Sequence, residues 1–131
     1  MSLPNIAFEG ILLNDPDLRF TGSGFAVCTM RVAVNDRKQD ENGNWVNGDS
    51  VYFTVTAWRK MAENAAESLR KGDLVVVNGR MKVSTWEDKE GKERTTQEVD
   101  ALSLGLSLRF VSVDGASKPS KEDSWIAEVP F

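Results

Sequence analysis

The alternation of residue types over residues 51–58 constrains the fold of this chain more than any other stretch. Successive side chains of a β-strand point to opposite faces, so this stretch separates into two rows. One row is apolar and consists of Val51, Phe53, Val55 and Ala57. The other row consists of Tyr52, Thr54, Thr56 and Trp58. The first row suits a core. The second either lies under a further layer of protein or is open and able to stack unpaired nucleobases.

A second strand with two unlike faces is predicted from residue 79 onward. One of its sides consists of Met81, Val83 and Thr85. The opposite side consists of Arg80, Lys82, Ser84 and Trp86. An aromatic ring beside two cations and a hydroxyl fits a solvated surface that meets phosphates better than it fits a core. The two strands together therefore favour the open, base-stacking interpretation.

The chain length of 131 residues and the ordinary fractions of apolar and charged residues indicate a single globular domain. No run approaches the roughly 18 apolar residues that a membrane span needs, and the first residues do not resemble a signal peptide. We therefore expect a cytoplasmic protein that has no membrane partner.

The residue inventory argues against catalysis and against a metal. There is no histidine, which removes the usual general base, and the single cysteine, Cys28, is expected to be a small buried hydrophobe. A faint calcium-loop pattern is formed by Asp40, Asn42 and Asn44. Trp45 stands where that loop requires glycine, and no glutamate closes it. We expect no enzyme activity, no metal and no cofactor, with a carboxylate nuclease as the remaining enzymatic alternative.

The net charge of −4 is unusual for a chain that binds nucleic acid. Residues 114–131 account for −2 of it, which leaves residues 1–109 slightly acidic at −2. Binding requires local positive potential rather than a positive total. Arg31, Arg80 and Lys82 fall on outward rows of predicted strands and are the candidate phosphate contacts.

The same patterns predict five strands and one short helix. The strands cover residues 6–13, 26–34, 51–58, 74–86 and 94–104, and the helix covers residues 61–69. Residues 35–50 are polar and predict a long hairpin loop, whose Trp45 either stacks on a base or folds back on the body. Residues 106–113 are apolar enough to dock onto the body.

This element order predicts the fold class. An all-β chain with one short helix between its third and fourth strands has the plan of the five-stranded oligonucleotide/oligosaccharide-binding (OB) barrel, and a sandwich is the alternative. We expect residues 1–113 to form this domain. Residues 114–131 are expected to form a flexible, disordered acidic linker and tip.

Motifs in this order and at this spacing resemble the bacterial single-stranded-DNA-binding proteins along the whole chain. The residues concerned are Gly10, residues 15–20, residues 24–34, Trp58, Ala62, Glu63, Leu69, Lys71, Gly72, residues 77–86, Gly91, Thr95 and Thr96. The resemblance implies sequence-independent binding of single-stranded DNA in replication, recombination and repair. It also implies a homotetramer that associates with the nucleoid and has no enzyme activity and no metal.

The resemblance also implies roles for particular residues. Trp86 and Trp58 match stacking positions of the family, Tyr52 matches a position usually held by an aromatic, and Trp45 lies in a variable hairpin. The chain ends in a tip that resembles the family's docking site for DNA-processing proteins, and its last residues are Glu128, Val129, Pro130 and Phe131.

The tail departs from the family pattern in two respects, a short linker and few acidic residues in the tip. Both departures favour a paralogue, or a copy encoded by a phage or plasmid, over a chromosomal housekeeping protein. Two alternatives stay open: an OB-fold adaptor that acts mainly through protein contacts, and a C-terminal segment that is merely a frayed end.

Overall fold

Six strands and one helix make up residues 3–113, the part of the chain that this computed structural model describes. In chain order they are β1 (Asn5–Leu12), β2 (Asp17–Phe20), β3 (Ala26–Gln39), β4 (Trp45–Trp58), α1 (Lys60–Ser68), β5 (Leu74–Glu87) and β6 (Glu93–Leu106). The predicted linker and tip, residues 114–131, lie outside the described residues.

The sheet closes into a barrel of five strands. Its strand order is β1-β5-β6-β4-β3-β2, and β1 pairs with β3 as well as with β5. Ile11 lies opposite Ala33, and Leu12 lies opposite Val32, so β1 joins the two ends of the ring. Strand β2 pairs only with β3 and lies outside that ring. The OB barrel with its helix between the third and fourth barrel strands is thus confirmed, and the sandwich alternative is wrong.

Strand β1 can serve both neighbours because of a glycine at the point where it passes from one to the other. A β-carbon on Gly10 would lie 2.6 Å from the carbonyl oxygen of Ala33 and 2.6 Å from a methyl group of Val32. Only glycine permits this approach of two backbones. Gly10 is therefore the residue that allows β1 to pair with both β5 and β3.

The barrel encloses an apolar core whose members come from every strand of the ring and from α1. Its largest fully buried side chains are Leu12, Met30, Val32, Val55, Val75, Val77 and Val99. Phe8 stacks on Phe53 with ring centroids 4.4 Å apart. Cys28 is fully buried, as predicted, and burial raises the pKa of its thiol, with a smaller contribution from the charge of Asp17. A thiol kept neutral in the core does not act as a nucleophile.

The predicted long loop over residues 35–50 is wrong. Strands β3 and β4 continue through most of it as a paired hairpin, and the connection shrinks to residues 40–44. At this turn, the Asp40 carboxylate accepts hydrogen bonds from the backbone N–H groups of Asn42 and Asn44, both at 2.9 Å. The hairpin is exposed on both faces, so it has no row of buried residues and lacks the alternation that reveals a strand.

Strand β2 was not predicted, because it is only four residues long and follows the turn signal at residues 14–16. The expectation that residues 106–113 dock on the body holds only in part. Leu106 packs against the core, and the Arg109 guanidinium lies 3.4 Å from the Glu9 carboxylate. Ser107 is buried and donates a hydrogen bond to Glu9 at 2.8 Å, whereas Leu108 and Phe110 are 66% and 81% exposed.

The helix closes one end of the barrel with small side chains. Ala62, Ala65 and the following Leu69 are buried, so α1 packs closely on the strand ends. At its C-terminus, the Arg70 side chain donates hydrogen bonds to the carbonyl oxygens of Ala66 and Leu69, at 3.1 and 2.7 Å. Neither α1 nor any other described helix is long and apolar enough to cross a membrane.

Candidate nucleic-acid interface

Four adjacent barrel strands bring the predicted cations onto one outer surface, called the outer face below. On it, Arg31 of β3 lies opposite Thr54 of β4. Thr54 is level with Glu98 of β6, which lies opposite Lys82 of β5. Residues paired across a sheet point to the same side. Two of the three predicted phosphate contacts therefore share one transverse row, and Arg80 lies two residues from Lys82 on the same side of β5.

The aromatic residues predicted on the outer face are all substantially exposed. Tyr52 is 50% exposed, Trp58 47%, Trp86 51% and Trp45 61%. No part of residues 3–113 covers the Tyr52 and Trp58 rings as a second layer would.

The inward row of β4 follows the predicted alternation at Phe53, Val55 and Ala57, which are buried. Val51 differs, with 42% exposure. It lies near the point where the β3–β4 hairpin leaves the barrel, so the core no longer extends beneath it.

Trp86 is oriented by its neighbour on β6. Its indole N–H donates a hydrogen bond to the hydroxyl of Thr96 at 3.0 Å. This bond lies at the ring edge and leaves both π faces available. The following turn is held by Asp88, whose pKa is lowered by its hydrogen bond from Arg94 and, to a smaller extent, by the backbone N–H groups of Lys92 and Glu90. The end of β5 that carries Trp86 is thus held by the hydrogen bond to Thr96 and by the hydrogen bonds of the Asp88 turn.

Trp45 reaches the outer face because of an irregularity in the hairpin. From the pair Asn35–Ser50 to the pair Arg37–Asn47, β3 advances by two residues and β4 advances by three, so β4 contains one extra residue. Such a bulge reverses which side chains of the strand face outward. Trp45 pairs with Gln39, which shares its side of β3 with Arg31, so the bulge places Trp45 on the same side as Tyr52. The possibility that Trp45 folds back on the body is wrong.

Arg31 and Tyr52 form a pair at the centre of the outer face. The Arg31 guanidinium carbon lies 5.9 Å from the centroid of the Tyr52 ring, within the range of a cation–π contact. A polar groove of about 400 Å³ lies beside this pair. Its lining includes Arg31, Tyr52, Thr54, Thr95, Thr96 and Gln97. Hydroxyl, amide and guanidinium groups next to an aromatic ring suit a nucleotide's phosphate and base together.

Two carboxylates on the outer face were missed from the sequence. The Lys82 ammonium lies 3.6 Å from the Glu98 carboxylate, and Arg80 is paired in register with Asp100. Glu98 and Asp100 flank the buried Val99, so the alternation along β6 is the signal that could have placed them outward. Two of the three predicted phosphate contacts thus have an acidic neighbour across the strand pair.

No group of side chains suited to a metal ion occurs within residues 3–113. The carboxylates of Glu98 and Asp100 instead face the cations of β5.

A closed five-stranded OB barrel whose outer face combines exposed aromatic rings with cations defines a class of protein that recognises oligonucleotides. Within that class, the chain belongs to the single-strand binding protein family, whose model matches residues 4–107. The match covers the entire barrel and every aromatic and cationic residue described on the outer face.

Two curated relatives illustrate the similarity. The chain is 48% identical over 105 residues to single-stranded DNA-binding protein 2 of Streptomyces coelicolor, a stretch covering 79% of this chain and 53% of that protein. It is 43% identical over 116 residues to the single-stranded DNA-binding protein of Corynebacterium glutamicum, covering 88% of this chain and 52% of that protein. The chain thus spans about half the length of these relatives.

A solved structure shares the fold. The crystal structure of a small single-stranded DNA-binding protein from Streptomyces coelicolor matches with a TM-score of 0.73 and 37% sequence identity. The match covers 82% of this chain and 97% of that one.

Proposed function

We propose that this chain binds single-stranded DNA without sequence preference. Bases stack on Trp86, Trp58, Tyr52 and Trp45, and Arg31, Arg80 and Lys82 meet the phosphates. The observation that supports this most strongly is that all four aromatic rings lie on one side of the sheet and remain about half exposed or more. The names of the relatives point to the same ligand.

Stacking supplies most of the binding energy in this proposal. Each base stacked on an aromatic ring contributes on the order of 1–3 kcal/mol, and every base has a π face. The phosphate contacts add a term that is independent of sequence and weakens with salt. Because Lys82 faces Glu98 and Arg80 faces Asp100, the electrostatic share is smaller here than the number of cations suggests.

The wider role in this proposal is protection of single strands during replication, recombination and repair, without any catalytic step. A homotetramer of barrels would lengthen the path that DNA follows. The terminal residues Glu128, Val129, Pro130 and Phe131 would recruit DNA-processing proteins, with an aromatic side chain for an apolar pocket and negative charge for a basic partner.

Quenching of intrinsic tryptophan fluorescence tests the proposal directly. Three of the four tryptophans lie on the outer face, and a Trp125→Phe variant removes the signal of the fourth. Oligo(dT) should bind this variant tightly and quench its fluorescence to saturation. A duplex of the same length should not, because paired bases offer no free π face. Equal or negligible quenching by both ligands would contradict single-strand binding.

An adaptor acting mainly through protein contacts is the second candidate. The observation that favours it is the pairing of outer-face cations with carboxylates, which lowers the positive potential available to DNA. An adaptor predicts negligible quenching by oligo(dT) together with capture of a partner protein that depends on Phe131.

Neutralising Glu98 should strengthen DNA binding. The Glu98→Gln variant frees Lys82 for a phosphate, and an exposed ion pair of this kind is worth about 0.2–1 kcal/mol, so affinity for oligo(dT) should rise up to about fivefold. The slope of log affinity against log salt should steepen by about 0.7, the value for one further phosphate contact. The matched control is Glu67→Gln, an exposed glutamate on α1, which should change neither quantity. Equal responses of the two variants would exclude the proposed competition.

A further inference from the structure

Two exposed phenylalanines and an arginine lie together beyond the Trp58 end of the outer face. Phe20 ends β2 and is 62% exposed, and Phe25 precedes β3 and is 45% exposed. The Arg59 guanidinium carbon lies 4.6 Å from the centroid of the Phe25 ring. These residues border a shallow groove of about 260 Å³, whose rim also includes Lys60 and Glu63.

We propose that this groove, called the Phe groove below, is a further contact site for single-stranded DNA and extends the path that ends at Trp58. In it, a base stacks against the phenylalanine rings and Arg59 meets the adjoining phosphate. The site rests on the proposed function of the outer face. None of its three central residues is among the stacking or phosphate contacts assigned to that face.

Position is the first argument for the Phe groove. Arg59 directly follows Trp58 in the chain, and Trp58 lies opposite Val27, two residues from Phe25. The backbone N–H of Arg59 donates a hydrogen bond of 2.7 Å to the carbonyl oxygen of Ala26. A DNA strand that leaves Trp58 in this direction therefore meets the Phe groove next.

Charge is the second argument. Lys60 lies 3.9 Å from Glu63, so these two side chains largely offset each other. Arg59 forms no ion pair within 4.0 Å among residues 3–113, and its charge remains available to a ligand. An available guanidinium held against an aromatic ring suits a nucleotide better than an apolar protein segment, because it offers charge to the phosphate and π surface to the base.

The backbone of Arg59 is the third argument. Its φ of 60° and ψ of −128° make it the single non-glycine residue with positive φ in the described part of the chain. This conformation is costly for a side chain and is natural for glycine. The contact of its guanidinium with the Phe25 ring offsets only part of that cost, which points to a further role for the guanidinium.

Equilibrium binding of the full chain to a ladder of oligo(dT) lengths tests the proposal. Phe20→Leu and Phe25→Leu keep an apolar side chain but remove the π face. Each should lower affinity about fivefold or more for long oligonucleotides and leave short ones unaffected, because the Phe groove lies at the end of the path. Phe110→Leu, at an exposed phenylalanine after β6, is the matched control and should have no effect.

Arg59→Gly separates a binding role from a structural one. Glycine relieves the strained backbone, so the variant should melt at the same temperature as the wild type or higher, while its affinity for long oligo(dT) falls. A lower melting temperature with unchanged affinity would overturn the proposal, as would unchanged affinity in both phenylalanine variants at every length. If those variants bind normally while Trp58→Ala binds weakly, the Phe groove fails and the outer face stands. If the wild type does not bind oligo(dT) at all, both fail.

Discussion

Alanine at Trp58 or at Trp86 is expected to lower the affinity for oligo(dT) by about 5- to 150-fold each, the loss that corresponds to one stacked base. Both rings are about half exposed, so truncation removes a π surface without opening a cavity in the core. The two rings lie at different levels along the neighbouring strand β6. The number of β6 residues between those levels corresponds to a separation on the order of 25 Å. At that separation the two effects should multiply in the double variant.

Three further variants make this result interpretable. Trp86→Phe keeps a π face but loses the hydrogen bond to Thr96, so its affinity should lie between those of the wild type and Trp86→Ala. Trp125→Ala should bind like the wild type, since Trp125 is not among the predicted stacking residues. Melting temperatures of the Trp58 and Trp86 variants should stay close to that of the wild type. Affinity unchanged in both alanine variants would refute the assigned face.

The sequence predicted those elements whose faces differ in polarity. Residues 53–57 alternate clearly because one side packs in the core, so both the strand and its exposed side could be predicted. The spacing of Ala62, Ala65 and Leu69 predicted the helix for the same reason. Five strands and a helix in this order then left few possible folds.

Elements without a buried face could not be predicted in this way. The outer part of the β3–β4 hairpin pairs through backbone hydrogen bonds while both of its sides meet solvent, and its polar residues therefore indicate a loop. The bulge that turns Trp45 toward the outer face depends on strand register, which is a relation between two segments. The ion pair between Lys82 and Glu98 could not be predicted for the same reason, because it depends on the register between β5 and β6. The exposed sides on which Tyr52, Trp58, Trp86 and the three cations lie could be predicted from the sequence, whereas their neighbours across the sheet could not.

Alanine at Gly79 is expected to destabilise the barrel by about 3 kcal/mol or more, which corresponds to a fall in melting temperature of roughly 10–25 °C. At this glycine, the register between β5 and β6 shifts. A β-carbon would collide with the backbone carbonyl oxygen of Asp100 and lie 2.8 Å from a methyl group of Val99. Backbone atoms inside a closed ring of strands cannot move aside as the end of a flexible side chain can.

Gly105→Ala is the matched control for this prediction. Gly105 belongs to the same β5–β6 pair and lies opposite Val76, but nothing stands within 4 Å of the position that its β-carbon would occupy. In thermal and urea unfolding, Gly105→Ala should therefore stay close to the wild type. The stabilities of the two variants should differ by most of the destabilisation expected for Gly79→Ala. If the two unfold alike, the close approach of β5 to β6 is not what requires glycine at position 79. If only Gly79→Ala is unstable, that approach is what requires glycine at the register shift of β5, the strand that carries Arg80, Lys82 and Trp86 on the outer face.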